Sequence, residues 1–388
     1  MANKTKNAKG GGTIRKRTDG RWEARFTVGT DTGTGKQIQR SVYGKTQAEV
    51  RKKLQAACVA IDEGTYTEPS KLTLASWLDI WLEEYTANLK PRTKWTYDGY
   101  ISNHINPALG AVRLSTINTH EIQMFYNGLH KGKGKDAALS PKTVKNVHGV
   151  LHKALKQAVE IGYIKFNPAD SCKVPRIKKA DIKPLDEKEI AAFLHAIKGK
   201  PYEALFTVDL FTGMRQGELL GMTWDCVDFQ KGTIFLYRQL QHIKGRYEFG
   251  TLKNDKTRTI TPAPFVMAAL KEVKRTQAEW KIRAGSLWDE GGFVFSNKLG
   301  GHLTHGTVYK TFKRVMKNLG LPETRLHDLR HTYATAALQA GDDAKTVQET
   351  LGHFSVSFTL DIYGHVTERM KAESANRMER FYEGISKL

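Results

Sequence analysis

A proline-containing stretch without hydrophobic periodicity divides this 388-residue chain near its middle. The stretch covers residues 167–184, holds Pro168, Pro175 and Pro184, and carries several cations between the prolines. Such a stretch favours neither a helix nor a strand. A chain of this length is also too long for one typical domain. We therefore expect at least two separately folded parts that meet here.

The sequence that follows this boundary predicts a new domain that begins with a helix. Asp186 and Glu189 form a capping-box pattern immediately before an apolar, helix-periodic run. Most of residues 183–388 continues with helical patterns. A group of short alternating segments between about Thr233 and Ile260 predicts strands arranged like a hairpin.

The sequence that precedes the boundary predicts a helical bundle over residues 70–172. Residues 74–89 place apolar side chains at helical spacing, and Ser140 with Pro141 supplies an N-cap and a first-turn proline for another helix. The predicted inward side chains of the first helix are Leu74, Trp77, Leu78, Trp81, Leu82 and Tyr85. The second helix carries a lysine face, formed by Lys142, Lys145, Lys153 and Lys156. Such a face is usually solvated, but Lys and Arg outnumber Asp and Glu by 61 to 40 in this chain, so we favour contact with phosphates.

The N-terminal segment, residues 1–66, predicts a three-stranded sheet packed on one helix. Short alternating runs are broken by Gly-rich turns, and a helical pattern starts at Thr46. Aromatic residues are interleaved with cations here, as a sheet laid in a DNA groove requires. The strand-borne cations are Arg15, Arg17, Arg21, Arg25 and Arg40, and the aromatics are Trp22, Phe26 and Tyr43.

The charge of the chain points to a polyanionic partner. Lys and Arg outnumber Asp and Glu by 61 to 40, which gives a formal charge of +21 and favours nucleic acid over an anionic membrane. No apolar run approaches the roughly 18 residues of a spanning helix, and the N-terminus lacks a signal-peptide core, so we expect a cytoplasmic protein.

Cys58, Cys172 and Cys226 lie far apart and predict reduced thiols rather than disulfides or a zinc ribbon.

Four short pieces of the last domain carry the candidate chemistry. They are TGMRQGELLGMTW, GTLKNDKTRTI, HDLRHTYAT and LGHFSVSFTLDIYGH. In this order and at these separations they resemble the tyrosine recombinase (phage integrase) family. The similarity extends to the layout of the whole chain, because integrases of temperate phages and conjugative transposons combine a small arm-binding sheet domain, a helical core-binding domain and a catalytic domain.

The resemblance implies a role for one residue at a time. Two arginines grip the scissile phosphate, two histidines assist, a lysine protonates the leaving oxygen, a tyrosine attacks phosphorus, and an acidic residue supports the first arginine. The two arginines are Arg215 and Arg330, and the two histidines are His327 and His353. The lysine is Lys253, the tyrosine is Tyr363 and the acidic residue is Glu218. The implied fold class is multidomain α+β, with an arm-type DNA-binding domain over 1–66, a core-site DNA-binding bundle over 70–172 and a mainly α catalytic domain with a small β-sheet over 183–388.

Phosphoryl-transfer chemistry gives independent reasons for these residue types. Attack on a phosphodiester builds charge on its non-bridging oxygens, and a permanently charged guanidinium that donates in pairs stabilises that charge. A tyrosine must lose its proton to attack, while the departing 5′ oxygen must gain one. A covalent phosphotyrosine conserves the energy of the broken bond, so we expect neither a metal nor another cofactor. The sequence contains no P-loop motif.

Several alternatives stay open at this point. Lys256 competes with Lys253 as the acid, although an arginine five residues after Lys253, Arg258, matches the family pattern. The other tyrosines that compete with Tyr363 are Tyr309, Tyr333 and Tyr382. His327 and His331 imitate the HExxH zinc helix, but Asp328 replaces the required glutamate, so we expect His331 to be a helix or packing residue. Met370, Ala375, Met378 and Phe381 predict an amphipathic tail helix, which in the family can dock on a neighbouring protomer.

Two other functions compete with the recombinase. A type IB topoisomerase uses the same chemistry, and a DNA-binding regulator can keep the fold without catalysis. The separate basic N-terminal domain favours an integrase over the first, and the complete residue set argues against the second. For a recombinase, the expected partners are double-stranded DNA sites of core and arm type and a homo-tetramer on DNA, joined by an excision factor and a host DNA-bending protein.

Overall fold

The protein divides after Lys178 into two compact units in the computed structural model. The structure describes residues 12–30, 33–62, 71–132, 137–178, 183–253, 255–352, 355–356 and 368–386. Helices and small antiparallel sheets together confirm the predicted multidomain α+β class. Within the described ranges, no helix combines the length and the apolar character needed to cross a bilayer.

The first unit begins with the predicted sheet and helix. Strands β1, β2 and β3 pair antiparallel in sequence order and are followed by helix α1. Their bounds are Thr13–Lys16, Trp22–Thr30, Gln37–Gly44 and Gln47–Asp62. Ala24 and Phe26 on β2 pack against Val50 and Leu54 on α1 and form a small core. One face of the sheet is therefore covered by α1, and the opposite face is open among the described residues, because no other described helix packs on it.

The five candidate arginines of this segment do not share one face, which corrects the prediction that all are strand-borne. Arg17 and Arg21 lie outside the strands, next to the turn between β1 and β2. Arg40 pairs in register with Phe26, so it lies on the face that α1 covers. Arg15 and Arg25 lie on the opposite face, where both contact the carboxylate of Glu23.

The rest of the first unit is the predicted helical bundle. Its helices are α2 (Leu74–Glu84), α3 (Pro91–Tyr100), a π-helical turn (Ile101–Ile105), α4 (Asn106–Leu109), α5 (Thr119–Lys131) and α6 (Pro141–Glu160). Thr73 caps α2 and Ser140 caps α6, each by accepting a hydrogen bond from a backbone N–H three residues on. The expectation that Tyr85 is buried on the first helix is wrong, because α2 ends at Glu84 and Tyr85 is 44% exposed.

The second unit surrounds its own hydrophobic core. Its elements are α7 (Glu187–Ile197), α8 (Glu203–Thr212), α9 (Gln216–Leu220), β4 (Val227–Asp228), β5 (Thr233–Leu236), β6 (Arg238–Ile243), β7 (Arg246–Thr251), β8 (Arg258–Ile260), α10 (Pro264–Ala284), α11 (His305–Asn318), α12 (Asp328–Ala340), α13 (Ala344–Leu351) and α14 (Glu368–Ile385). The capping box of Asp186 and Glu189 at the start of α7 is confirmed. Strands β4, β5 and β8 form one sheet, and β6 and β7 form the hairpin.

Two apolar clusters hold the helices that carry the candidate catalytic motifs. Phe193, Phe206 and Phe312 meet edge-on or tilted at 5.9 to 6.0 Å between ring centroids and join α7, α8 and α11. A smaller cluster that includes Leu338 and Leu351 joins α12 to α13. The tail helix α14 leaves apolar side chains exposed, among them Met378 and Phe381.

Trp77 gives a test of the bundle core. Its side chain is fully buried, and its indole nitrogen donates to the carbonyl of Ala154 at 2.9 Å, which ties α2 to α6. We expect Trp77→Phe to lower the free energy of unfolding by about 2 kcal/mol, because it removes a buried hydrogen bond and leaves a small cavity. Denaturant unfolding followed by far-UV circular dichroism measures this change. Trp95→Phe, at a half-buried position on α3, is the control and must cost clearly less.

Candidate active site

A tight turn between α8 and α9 places the first candidate arginine. Gly213 ends α8 with φ +59°, in the left-handed region, and a Cβ there would come within 2.7 Å of the side chains of Tyr333 and Leu351. Only glycine suits both the backbone conformation and this close packing. Arg215 follows at the N-cap position of α9, so the Thr-Gly-Met-Arg sequence aims this side chain toward α12 and α13.

Glu218 joins two arginines that are distant in the sequence. Its Oε1 accepts from Nη1 of Arg215 at 2.8 Å, and its Oε2 accepts from Nη2 of Arg258 at 2.6 Å. The Nε of Arg258 also donates to the carbonyl of Thr350 at 2.7 Å. Arg258 therefore connects the strand after the lysine turn with the first arginine and with the end of α13.

The charge of Glu218 is maintained against its burial. The residue is 1% exposed, and burial by itself raises the pKa of a carboxyl group. The hydrogen bond and charge of Arg258, followed by the charge of Arg215, outweigh this effect and lower the pKa of Glu218 to about 2. Glu218 is therefore ionised and holds Arg215 by an ion pair, while 23% of the arginine side chain stays exposed.

The second candidate arginine meets the first one at the end of α13. Arg330, which is 2% exposed, donates to the carbonyls of Gly213 and Leu351, both at 2.6 Å. Arg215 donates to the carbonyl of Gly352 at 3.1 Å. The two guanidinium groups are therefore anchored on consecutive carbonyl groups, directly before His353 in the chain.

His327 stands beside these arginines as a neutral imidazole. Burial, followed by the proximity of His331 and Arg330, lowers the pKa of His327 to about 4. His331 is buried, and its ring meets that of His327 edge-on at 5.0 Å between centroids. Asp328 accepts a hydrogen bond from Nη2 of Arg325 at 2.7 Å. Among the described residues, no group of three His, Cys, Asp or Glu is placed to hold a metal ion.

The two competing lysines lie in the same cleft. Lys253 and Lys256 line a cleft of about 370 Å³ together with Arg215, Arg258 and Gly352. Both lysine side chains are exposed in the turn between β7 and β8. The geometry therefore brings either lysine to the arginine centre, and the assignment of Lys253 stays a prediction.

His353 and Tyr363 lie outside the described residues. Of the three competing tyrosines, Tyr309 is 44% exposed on α11 and Tyr382 is 63% exposed on α14. Burial raises the pKa of Tyr333, which makes its hydroxyl a poorer source of an attacking oxygen.

In the sequence, Arg258 is recognisable only by its spacing from Lys253. In the structure its side chain is 9% exposed, and it binds Glu218 and the carbonyl of Thr350 near Gly352. Its signal in the sequence was the distance of five residues from Lys253, and this distance does not indicate that Glu218 is its partner.

Of the proposed DNA contacts in the bundle, Lys142 and Lys145 are exposed on α6.

Comparisons with known proteins match two parts of the chain to family models. The model of the phage integrase family covers residues 183–370, and that of the phage integrase N-terminal SAM-like domain covers residues 73–130. A XerC-like tyrosine recombinase of Caldanaerobacter subterraneus subsp. tengcongensis is 32% identical, over 98% of this chain and 100% of that protein. The ICEBs1 integrase of Bacillus subtilis is 24% identical, over 95% of this chain and 99% of that protein.

Solved structures share the fold. The Tn1549 transposon integrase in complex with a circular intermediate DNA superposes with a TM-score of 0.65 at 23% identity, over 79% of this chain and 100% of that one. A lambda integrase tetramer bound to a Holliday junction gives a TM-score of 0.56 at 21% identity, over 89% of this chain and 96% of that one. At these identities the likeness concerns the architecture.

Acid unfolding tests the shared carboxylate. The pKa of Glu218 falls on folding from its ordinary 4.5 to about 2, so its stabilisation is complete above about pH 4.5 and disappears as the pH falls toward 2. The shift corresponds to on the order of 3 kcal/mol. We expect Glu218→Gln to remove this part of the pH dependence, measured as the free energy of unfolding between pH 6 and pH 3.

The control is Glu272→Gln, which removes an exposed carboxylate that pairs with Arg275. Its pH dependence is expected to stay close to that of the wild type, because solvent screens an exposed pair. A Glu218→Gln curve parallel to the wild-type curve contradicts the role assigned to the buried anion.

Proposed function

The chain belongs to the phage integrase family of tyrosine recombinases, and on this premise we propose which residue performs each step in integrating or excising a mobile genetic element. It is a DNA strand-transfer enzyme of the site-specific tyrosine type. In the proposed reaction the hydroxyl oxygen of Tyr363 attacks the scissile phosphorus, and the 5′ oxygen of the next nucleotide leaves. The same 5′ hydroxyl, or that of a partner strand, later attacks the phosphotyrosine and rejoins DNA.

The observation that carries this proposal is the anchoring of two guanidinium groups side by side. Arg215 and Arg330 are bound to the consecutive carbonyls of Gly352 and Leu351, and Arg215 is also bound to the buried anion of Glu218. Fixed donors of this kind stabilise charge that develops on non-bridging phosphate oxygens without having to reorganise during the reaction. We assign both arginines to the scissile phosphate.

Protons move in opposite directions at the two ends of the reacting phosphate. His327 is neutral near pH 7 because its pKa is lowered to about 4, so this imidazole can accept a hydrogen bond or a proton on the side of Tyr363. We assign His353 to the same assisting role. Lys253 carries the proton that the departing 5′ oxygen requires.

The remaining parts of the chain are assigned to DNA. The sheet of residues 12–62 binds arm-type sites, and the exposed Lys142 and Lys145 on α6 contact phosphates of the core site, since a row of cations supplies sequence-independent affinity. Four copies assemble on two sites, and the lambda integrase tetramer bound to a Holliday junction is the model for this assembly. An excision factor and a host DNA-bending protein complete the proposed set of partners.

Covalent trapping tests the nucleophile. We expect the full-length protein to form a covalent band with labelled attachment-site DNA on a denaturing gel, in EDTA and without ATP. Tyr363→Phe removes the attacking oxygen and abolishes the band, whereas Tyr309→Phe and Tyr382→Phe retain it. A band of wild-type strength from Tyr363→Phe contradicts the assignment. Relaxation of supercoiled DNA without any joined product points instead to a topoisomerase.

A substrate with a sulfur at the bridging 5′ position distinguishes the two lysines. A thiolate leaves without a proton, because the thiol pKa lies near 8.5. We expect Lys253→Ala to cut ordinary DNA at least about a hundredfold more slowly and to recover nearly all of this loss on the sulfur substrate. Lys256→Ala is the matched control and cuts both substrates like the wild type. The opposite pattern transfers the role to Lys256.

A further inference from the structure

A buried carboxylate lies in the middle of the open face of the N-terminal sheet. Glu23 on β2 is only 1% exposed, although no helix in the part of the chain that the structure describes packs on this face. In register it lies between Arg15 on β1 and Tyr43 on β3. The neighbouring row places Arg25 beside Ser41. The carboxylate is therefore shielded by the side chains that surround it on the sheet.

Both oxygens of Glu23 are engaged. Oε2 accepts from Nε of Arg15 at 2.7 Å, and Oε1 accepts from the hydroxyl of Ser41 at 2.8 Å and from Nε of Arg25 at 3.3 Å. Tyr43 donates to the same Oε1 at 3.4 Å. The hydrogen bonds of Ser41 and Arg15 lower the pKa of Glu23 to about 2, so the group is ionised at every working pH.

An anion is unfavourable for general DNA binding at this position. A surface that meets phosphates gains affinity from each cation, and a negative charge on it reduces that affinity. A carboxylate that reads a base directly must offer a free oxygen to cytosine, but the oxygens of Glu23 face its neighbours on the sheet. The carboxylate accepts hydrogen bonds from two arginines, Arg15 and Arg25, whose side chains are 57% and 48% exposed. Arg17 lies farther away, with its Nη1 at 3.9 Å from Oε2.

We propose that Glu23 is a positioning residue that fixes Arg15 and Arg25 for the recognition of guanine in the major groove of arm-site DNA. The proposal rests on the function proposed above for the sheet of residues 12–62. Arginine reads guanine by donating two parallel hydrogen bonds to O6 and N7, so the direction of its guanidinium plane decides specificity. A fixed plane also loses less side-chain entropy on binding than a free one.

Selection from a randomised double-stranded DNA library tests the proposal with the full-length chain. The wild type is compared with the double variant Arg15→Gln, Arg25→Gln. The sequence motif that only the wild type enriches is assigned to the sheet, and we expect this motif to contain guanine. Glu23→Gln is expected to reduce the preference for guanine at these positions at least about fivefold. Its affinity for DNA of unrelated sequence rises at the same time, because one negative charge is removed.

A merely structural role of Glu23 predicts a different result, in which Glu23→Gln loses specific and general affinity together and the melting temperature falls. Arg25→Gln supplies a second variant at an exposed position and must relax the preference at one of the same positions. Glu49→Gln, on α1 behind the sheet, makes the same chemical change and must leave the motif unaltered.

Three other results overturn the proposal in different ways. An unchanged guanine preference in Glu23→Gln refutes the positioning role alone. A change of preference from cytosine to adenine means that residue 23 reads the base itself. If the wild type enriches no motif that the double arginine variant loses, the assignment of the sheet to arm sites fails, and the role of Glu23 fails with it.

Discussion

The arrangement of the catalytic unit depends on one buried anion that serves two arginines. Glu218 lies beneath the surface, and a charge in that position persists only when cations compensate for its lost hydration. Arg258 supplies most of this compensation and is itself nearly buried, so the more exposed Arg215 keeps part of its guanidinium toward the cleft. We assign this exposed part of Arg215 to the phosphate contact proposed above.

The same contacts add polar links between elements that also pack against one another through Leu338, Leu351 and Tyr333. Arg258 follows the lysine turn and reaches Thr350, while Arg330 spans from Gly213 to Leu351. The turn before α9, the lysine turn and the end of α13 are thus held against one another by side chains that donate to backbone carbonyls. Such carbonyls at the end of a helix have no partner within the helix and accept these hydrogen bonds readily. The end of α13 is therefore held by the hydrogen bonds of Arg215, Arg258 and Arg330.

Buried carboxylates organise cations in both units of a chain whose formal charge is +21. Glu218 does so at the catalytic centre and Glu23 does so on the open face of the N-terminal sheet. Hydrogen bonds maintain the ionised state in each place, from Ser41 and Arg15 to Glu23 and from Arg258 to Glu218, and the arginines gain a fixed direction. A basic protein obtains affinity for DNA from many cations at once, and a buried anion is one way to fix the geometry of such a cation.

The sequence by itself determined the helices with strong local signals, and its proline-containing stretch at residues 167–184 includes the point after Lys178 where the two units divide. The residue types of the site stay a prediction from the sequence. The capping box at Asp186 and the N-cap at Ser140 are signals read within a few residues, and the structure contains both. The predicted hairpin-like group between Thr233 and Ile260 is divided in the structure, since β6 and β7 form the hairpin while β5 and β8 belong to the other sheet. Only the tertiary structure decided that Arg258 shares Glu218, that Arg330 binds the carbonyl of Gly213, that Arg40 lies on the covered face of its sheet and that Tyr85 is exposed. The partners of these arginines are 40 and 117 positions away in the chain. Patterns of hydrophobicity and capping carry information over one or two turns, whereas a hydrogen bond across such a distance exists only after packing has brought the two segments together.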